Sequence, residues 1–268
     1  MTLRVAVLGI AGRLGGAIAR EALSDPRFAL TGGIVRSEYD GEERDIGVIA
    51  GAGRCGITAS VSLEGGTANA DLLIDASQPE ATIAAAERLA GRGNFAFVTG
   101  VTGLDPDRKA RLQAASDRLP ILAARNFSLG IALMDALVRK AAAALPAGSW
   151  DAEIAETHHR HKIDAPSGTA LVLGEAVAAG RNQALDDVSA IDRTGKRRPG
   201  DIGFSVTRGG GIIGEHAVRF LSDMEEITLS HAAHDRRVFA RGALEAALWM
   251  SGRKPGLYSM ADLVANRT

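Results

Sequence analysis

The chain has 268 residues and a net charge of −1, from 31 basic and 32 acidic side chains. This balance argues against a protein that binds nucleic acid through its overall charge, so any attraction for anions must be local. Cys55 is the only cysteine, which excludes an intramolecular disulfide and is typical of a reducing cytoplasm. The sequence shows neither a signal-peptide pattern nor an apolar run of roughly 18 residues. It therefore predicts a soluble cytoplasmic protein with neither nucleic acid nor membrane as a partner.

The chain opens with a β-rich run, Leu3–Leu8, which leads through a glycine-rich turn into a helical pattern at 16–23. Strand, glycine turn and helix are typical of the start of a dinucleotide-binding βαβ unit. The spacing is G-x-x-G-x-x-G, which still lets the backbone approach a pyrophosphate at the helix end. Glycines that only pack the strand against the helix are the alternative. The predicted cofactor-binding residues of this turn are Gly9, Ile10, Ala11, Gly12, Arg13, Leu14 and Gly15.

The second strand, predicted at 28–35, bears on the choice of cofactor. In an NAD-binding fold an acidic residue at the end of this strand contacts the ribose. No acid stands there, and Arg36 is instead placed to meet a 2′-phosphate, which favours NADPH over NADH. In the alternative interpretation Arg36 is a solvent-facing loop residue, and Glu38 or Asp40 takes the acidic role. The polar stretch 40–53 is predicted to be a loop or a short helix.

Three more strands are predicted at 71–76, 95–99 and 121–124, alternating with helices at 81–91 and 104–119. This alternation predicts an α/β fold with a doubly wound, Rossmann-like parallel sheet. Ligands of such sheets bind beyond the carboxyl ends of the strands. We therefore expect the residues after these strands to line the cofactor cleft, although each also suits an ordinary turn. They are Ser77, Gly100, Val101, Thr102, Asn126 and Phe127.

The pattern changes after a long amphipathic helix at 129–145. Strands are predicted at 151–157, 202–208, 215–220 and 226–230, and they no longer alternate with helices. The second half therefore predicts an α+β domain with a mixed sheet. An exposed sheet face of this kind commonly associates with copies of itself. An apolar helix at 238–251 follows.

The stretch 156–170, E-T-H-H-R-H-K-I-D-A-P-S-G-T-A, holds three of the six histidines. Ser167 is a suitable N-cap for a helix at 170–179, so the amides of Gly168 and Thr169 would form a seat for an anion. A basic cluster beside a helix start predicts a pocket for an acidic small molecule, with a proton donor in it. A solvated charged face is the alternative. The histidines lack the i, i+4 helical spacing of a zinc protease and have no cysteine nearby, so no metal is predicted.

The same stretch resembles the E-x-H-H-x-x-K-x-D-A-P-S-G-T-A signature of the dihydrodipicolinate reductase family, which acts in bacterial lysine and diaminopimelate synthesis. The resemblance covers essentially the whole chain. Supporting matches lie at 9–15, 100–103, 126–130, 214–216 and 256–260.

The resemblance implies NAD(P)H-dependent reduction of 4-hydroxy-tetrahydrodipicolinate to tetrahydrodipicolinate, with loss of water. It implies that His158 is the proton donor and Lys162 the second catalytic group. The substrate carboxylate would be held by His159, Ser167, Gly168 and Thr169. The family's fold implies a dinucleotide-binding domain at 1–125 to which 236–268 returns, and a domain at 126–235 that binds substrate and forms a homotetramer.

Four positions depart from the family's pattern. Val35 stands where many members have an acid, which leaves Arg36 and NADPH as the expected pair. Ala76, Val101 and Arg125 also differ, and all four departures touch the cofactor region rather than the proton donor. The alternatives are a paralogue acting on another small acid and a catalytically idle dinucleotide sensor, which would be expected to lose His158 or Lys162.

Overall fold

The computed structural model describes residues 2–39, 44–191 and 193–266. The chain divides into two compact units, one made of residues 1–127 and 237–268 and the other of residues 128–236. The strands of the described residues are, in chain order, β1 Leu3–Leu8, β2 Phe28–Ile34, β3 Leu72–Asp75, β4 Ala96–Thr99, β5 Pro120–Ala123, β6 Asp151–His158, β7 Ser189–Ala190, β8 Ile202–Arg208, β9 Gly214–Leu221, β10 Glu226–Ala233 and β11 Gly256–Tyr258. The helices are α1 Arg13–Ser24, α2 Ile46–Ile49, α3 Leu63–Thr67, α4 Pro79–Leu89, α5 Pro106–Ser116, α6 Leu129–Ala144, α7 Gly168–Gly180, α8 Leu185–Val188, α9 Arg237–Met250 and α10 Met260–Ala265.

Over its described residues, the first unit is built on a parallel sheet with the order β11-β5-β4-β3-β1-β2. Strands β3 and β4 are buried at every position, as expected for parallel strands with helices on both faces. Their side chains form a core with the neighbouring helices, in which Leu73, Phe97 and Ile121 are fully buried. The predicted Rossmann-like doubly wound sheet is confirmed.

The sheet has one strand that the sequence analysis did not predict. Strand β11 lies at the edge and pairs with β5, with Leu257 opposite Ile121. It is only three residues long, and Leu257 is 40% exposed. A strand this short has too few positions for an alternating pattern, so the sequence showed only the end of the preceding helix at Pro255 and Gly256.

Several helix boundaries differ from the predicted ones for reasons of capping. Helix α5 begins at Pro106 rather than at 104 because Asp105 caps it, accepting a hydrogen bond from the Arg108 amide. Proline at the first position of a helix costs no hydrogen bond, which also explains the start of α4 at Pro79 rather than at 81. Helix α7 begins at Gly168 rather than at 170, so the two expected anion-binding amides belong to its first turn.

Over its described residues, the second unit contains a mixed sheet in the order β10-β9-β6-β8-β7. Strand β6 pairs in parallel with β8 and antiparallel with β9. Alternate residues of β6 are buried, and Ala152 and Ile154 pack with α6 and α7 in the core of this unit. The predicted mixed sheet is confirmed, and it places the carboxyl end of β6 beside the start of α7.

Candidate active site

The turn between β1 and α1 depends on glycine at two positions. Gly9 has a φ of +79°, and a Cβ there would lie 2.8 Å from the carbonyl oxygen of Ala76. A Cβ on Gly15 would overlap the carbonyl oxygen of Gly9. Gly15 therefore lets α1 pack closely on the turn, and Gly9 lets the turn pack against the residues that follow β3, so both glycines have a packing role.

The amino end of α1 is open to an anion. Gly12 is the N-cap residue, and no side chain of the described residues caps this helix end. Ala11, Gly12 and Arg13 are exposed. Uncapped first-turn amides at the positive end of a 12-residue helix suit a phosphate group, so the turn fits the pyrophosphate of a nicotinamide dinucleotide.

The two large apolar residues of the turn, Ile10 and Leu14, are both at least half-buried. The side chain of Ile10 is fully buried and fills the space that a Cβ on Gly33 would need. Leu14 is half-buried. The side chain of Ile10 therefore anchors the turn, and its backbone is the part left to meet a ligand.

At the end of β2, Arg36 is exposed, as are Ser37 and Glu38. A hydrogen bond from Ser37, with a smaller contribution from the charge of Arg36, lowers the pKa of Glu38. Both Arg36 and Glu38 are thus available at this end of the strand. Asp40, the other acid considered for the ribose, lies outside the described residues.

A buried carboxylate, Asp75, organises the carboxyl ends of β3 and β4. It accepts hydrogen bonds from the amide and hydroxyl of Ser77, from Thr82 Oγ1 at 2.6 Å and from Thr99 Oγ1 at 2.8 Å. Burial raises its pKa, while these hydrogen bonds act in the opposite direction. The hydroxyl of Ser77 is therefore committed to Asp75. The sequence analysis missed Asp75, and its only signal was an acid closing an apolar strand.

The loop after β4 rests on Phe127. The Phe127 ring is 2% exposed, and a Cβ on Gly100 would overlap it. The amide of Val101 donates to Thr99 Oγ1 at 3.2 Å, while Thr102 is exposed and Asn126 is half-buried. The buried Phe127 side chain thus packs against Gly100 of the loop, and the exposed part of this region is the loop itself.

In the second unit, a polar cluster lies at the carboxyl end of β6; it consists of Glu156, His158, Ser167, Arg208 and His216. Glu156 and His158 continue the buried face of β6 that carries core residues further back along the strand. The strand register places His216 opposite Glu156 and Arg208 opposite His158. The polar cluster therefore closes the apolar core at the end where β6 meets the N-cap of α7.

Glu156 is the centre of the polar cluster. Its Oε1 accepts hydrogen bonds from the Ser167 amide at 2.9 Å and from Arg208 Nη2 at 2.8 Å. Its Oε2 lies 3.2 Å from His158 Nδ1 and 3.6 Å from His216 Nε2. Burial raises the pKa of this carboxyl, but the hydrogen bonds from Ser167 and Arg208 outweigh burial and hold the pKa below its usual value. Glu156 is therefore ionised at neutral pH.

Both histidines of the polar cluster are neutral at pH 7. Burial lowers the pKa of His158, against the charge of Glu156, and the cations Lys162 and Arg208 lower it further. Burial lowers the pKa of His216 to about 4. The side chain of His158 is 9% exposed, and negative charge brought close to it would raise its pKa and favour a second proton on the ring.

Lys162 and His159 lie in the loop that follows β6. The Nζ atom of Lys162 is 2.8 Å from Asp164 Oδ1. His159 is half-buried, and its amide donates to the carbonyl oxygen of Ile212 at 2.7 Å. Burial lowers the pKa of the His159 ring, and the charge of Arg236 lowers it further.

The start of α7 divides the expected substrate-binding residues. The Ser167 hydroxyl is buried, accepting from the Ala170 amide at 3.2 Å and lying 3.2 Å from His216 Nε2. Gly168 is exposed and Thr169 half-buried. A hydrogen bond from the Gly168 amide helps to lower the pKa of Asp164, so this helix start already holds a carboxylate. The Ser167 side chain thus faces the polar cluster, and the Gly168 amide faces an anion.

Three members of the polar cluster were not assigned from the sequence: Glu156, Arg208 and His216. Glu156, His158 and His216 have ligand-capable atoms within 4.8 Å of one another. Linear spacing could not reveal this set, because His216 joins it through strand pairing. Arg208 already balances the charge of Glu156, so the polar cluster needs no metal for electrical neutrality.

The described part of the chain contains no helix that is both long and apolar enough to cross a membrane.

Comparison with known proteins agrees with the resemblance stated from the sequence. Residues 3–127 match the family model "Dihydrodipicolinate reductase, N-terminus", and residues 130–264 match "Dihydrodipicolinate reductase, C-terminus". The 4-hydroxy-tetrahydrodipicolinate reductase of Caulobacter vibrioides is 47% identical over 267 residues, covering 98% of this chain and 97% of that protein. The Parvibaculum lavamentivorans protein of the same name is 46% identical over 266 residues, covering 98% and 97%.

A solved structure shares the fold. Dipicolinate-bound dihydrodipicolinate reductase from Paenisporosarcina sp. TG-14 superposes with a TM-score of 0.77 at 22% identity, covering 97% of this chain and 98% of that one. Together with the family models and the close relatives, this establishes that the chain belongs to the dihydrodipicolinate reductase family.

Proposed function

We infer that this chain catalyses the NAD(P)H-dependent reduction of 4-hydroxy-tetrahydrodipicolinate to tetrahydrodipicolinate, with loss of water, in lysine and diaminopimelate synthesis. The observation that carries this function is a buried neutral histidine, His158, near Lys162 and an anion-binding helix start, in a chain 47% identical to a reductase of that name. Binding a cyclic dicarboxylate needs cationic partners for its carboxylates, and reducing its ring needs a proton donor. These are the roles proposed for the residues of this site.

The substrate carboxylates would be held by the loop after β6 and the start of α7. His159 and the amides of Gly168 and Thr169 are the proposed partners of a carboxylate. Ser167 stabilises the start of α7 as its N-cap. Asp164 supports this assignment, because its carboxylate already contacts both Lys162 and the Gly168 amide. A substrate carboxylate would compete with Asp164 for the same donors.

His158 would deliver the proton of the reaction. The bound dianion brings negative charge close to a ring whose pKa burial has lowered, and this raises the pKa so that His158 takes up a proton. The imidazolium then donates that proton as the ring is reduced. Lys162 would stabilise the negative charge that develops on the substrate. A bound nicotinamide cofactor supplies the hydride.

The cofactor would be held by the β1–α1 turn, residues 9–15, and by the loops after β3, β4 and β5. Backbone amides at the start of α1 would bind the pyrophosphate. The loop positions are Ser77, Gly100, Val101, Thr102, Asn126 and Phe127, the last through its backbone. Arg36, exposed at the end of β2, would meet a 2′-phosphate, so NADPH is the proposed preferred cofactor and NADH the weaker one.

The proposed assembly is a homotetramer in the cytoplasm. The sheet of the second unit has one face away from α6 and α7, and small residues lie there side by side, with Ala155 opposite both Ala217 and Ser205. Such a flat strip suits close packing of a second sheet. A single cysteine favours a reducing compartment.

The test is NADPH oxidation with substrate made in situ from pyruvate and aspartate semialdehyde by the preceding synthase. Rapid turnover is expected. Tight NADPH binding without turnover would instead support a paralogue for another acid or a dinucleotide sensor.

A further inference from the structure

We propose that Glu156 is a positioning residue for the reaction. Its buried carboxylate fixes the orientation and tautomer of His158, so that Nδ1 keeps its proton and Nε2 exchanges a proton with the substrate. This inference rests on the proposed function, which assigns the proton donor, and adds a second residue that acts through it.

The carboxylate of Glu156 is held in one position. Its Oε1 accepts from the Ser167 amide on one side and from Arg208 on the other, and its side chain is 1% exposed. Rotation of the carboxylate would therefore break two hydrogen bonds in a buried site. Its Oε2 is left to face His158 and His216, since no well-aligned hydrogen bond reaches it among the described residues.

The position of Oε2 determines which nitrogen of His158 carries the resting proton. Nδ1 is buried 3.2 Å from Oε2, and neither atom makes a well-aligned hydrogen bond in the described part of the chain, so each is the nearest polar partner open to the other. An ionised carboxylate is only an acceptor, so a proton on Nδ1 is attracted to it, whereas a lone pair there would be repelled. Nε2 is then the nitrogen with a free lone pair, and it can gain and release a proton.

Two further contacts hold the ring. The His216 ring meets the His158 ring edge to face, with centroids 5.0 Å apart and planes at 76°. A Cβ on Gly214 would lie 3.0 Å from His158 Nε2 and 3.7 Å from His216 Cε1, so glycine leaves room for both rings. The His158 ring thus lies against both the Glu156 carboxylate and the His216 ring.

The charges around His158 explain why its ring is neutral until substrate binds. The charged and titratable groups near Glu156 and His158 are Arg208 from β8, His216 from β9, and Lys162 and Asp164 from the loop after β6. Glu156 is paired with Arg208, Lys162 is paired with Asp164, and His216 is neutral. With His158 neutral the group is balanced. A dicarboxylate upsets this balance, and a proton on Nε2, favoured by Glu156, partly restores it.

The first measurement is the tautomer of His158, by ¹⁵N NMR of the ligand-free wild-type protein. The proton is expected on Nδ1, whatever the enzyme's activity. A neutral ring with its proton on Nε2 would overturn the proposal, and this result needs no variant to fold.

The second measurement compares E156Q with the wild type and with E153Q, which changes a carboxylate on the opposite face of β6. In E156Q the preference for Nδ1 should fall, and kcat should drop at least about tenfold with a smaller change in KM. The pH at which kcat responds to the His158 proton should move lower, because the charge that favours the imidazolium is gone. E153Q should match the wild type in all three respects.

An E156Q protein with the wild-type kcat and pH profile would overturn the positioning role. An inactive wild type with the proton on Nδ1 would instead refute the proposed reaction, while the geometric assignment of Glu156 would stand.

Discussion

His216 shows at the residue scale how burial makes the fold sensitive to acid. Its pKa is about 4 in the folded chain and 6.5 in its ordinary state. Below pH 6.5 the unfolded chain therefore binds a proton that the folded chain refuses, and the free energy of unfolding falls as the pH drops toward 4. The difference of 2.5 units corresponds to about 3 kcal/mol at full effect.

The corresponding prediction concerns His216→Gln. The urea midpoint of the wild type should fall steadily between pH 7 and pH 5, and the fall should be shallower in the variant because one buried base is gone. Urea unfolding at several pH values measures both slopes. Parallel slopes for the two proteins would show that His216 is not the group responsible.

Arg36 makes the residue-scale prediction for cofactor choice. Arg36→Ala should raise the apparent KM for NADPH several-fold, because the 2′-phosphate loses its cationic partner, and should leave NADH nearly unaffected. Steady-state kinetics with each cofactor measure this. Equal effects on NADPH and NADH would remove Arg36 from the 2′-phosphate role and leave Glu38 to be considered.

At the scale of elements, the start of α1 contains two adjacent glycines, and replacing each with alanine should have a different effect. Gly15→Ala would drive a Cβ into the Gly9 carbonyl oxygen, forcing α1 away from the turn. NADPH affinity should fall at least about tenfold and the melting temperature should drop. Gly16→Ala is the matched control, since its Cβ would make an ordinary contact 3.4 Å from the Ile10 carbonyl oxygen, and alanine favours a helix. Calorimetric titration with NADPH measures both variants, and equal losses would contradict the packing argument.

The individual strands and helices show how far the sequence predicts the structure. Long elements with strong patterns, such as β1, α1 and α6, were predictable because their burial follows a local period. The short strand β11 was not, because its pairing with β5 is a tertiary contact. The basic stretch 156–170 was visible as a site, and its helix cap was predicted correctly at Ser167. The assembly of Glu156 with Arg208 and His216 was not predictable, since strand pairing brings Glu156 together with residues 52 and 60 positions away.

At the scale of the whole molecule, the nearly balanced net charge means that any attraction for an anionic substrate must be local, and the proposed substrate-binding residues lie in the second unit. The sheet of the second unit is also the proposed contact surface between subunits. Ala217→Arg would place a charge on the flat strip beside Ala155, and it should shift the protein from tetramer to smaller species without unfolding it. Sedimentation velocity measures the change, with Ala233→Arg near the end of β10 as a comparison. A wild type that sediments as a monomer would refute the proposed assembly.

His158, a buried histidine, is the proposed proton donor of a nicotinamide-dependent reduction. The most direct measurement is the rate of NADPH oxidation by wild type and His158→Gln at saturating substrate, with NADPH affinity determined for both. We expect the variant to be slower by about 10²- to 10⁴-fold while its NADPH affinity is unchanged. Equal rates would contradict the proposed role of His158 and show that the proton comes from another group.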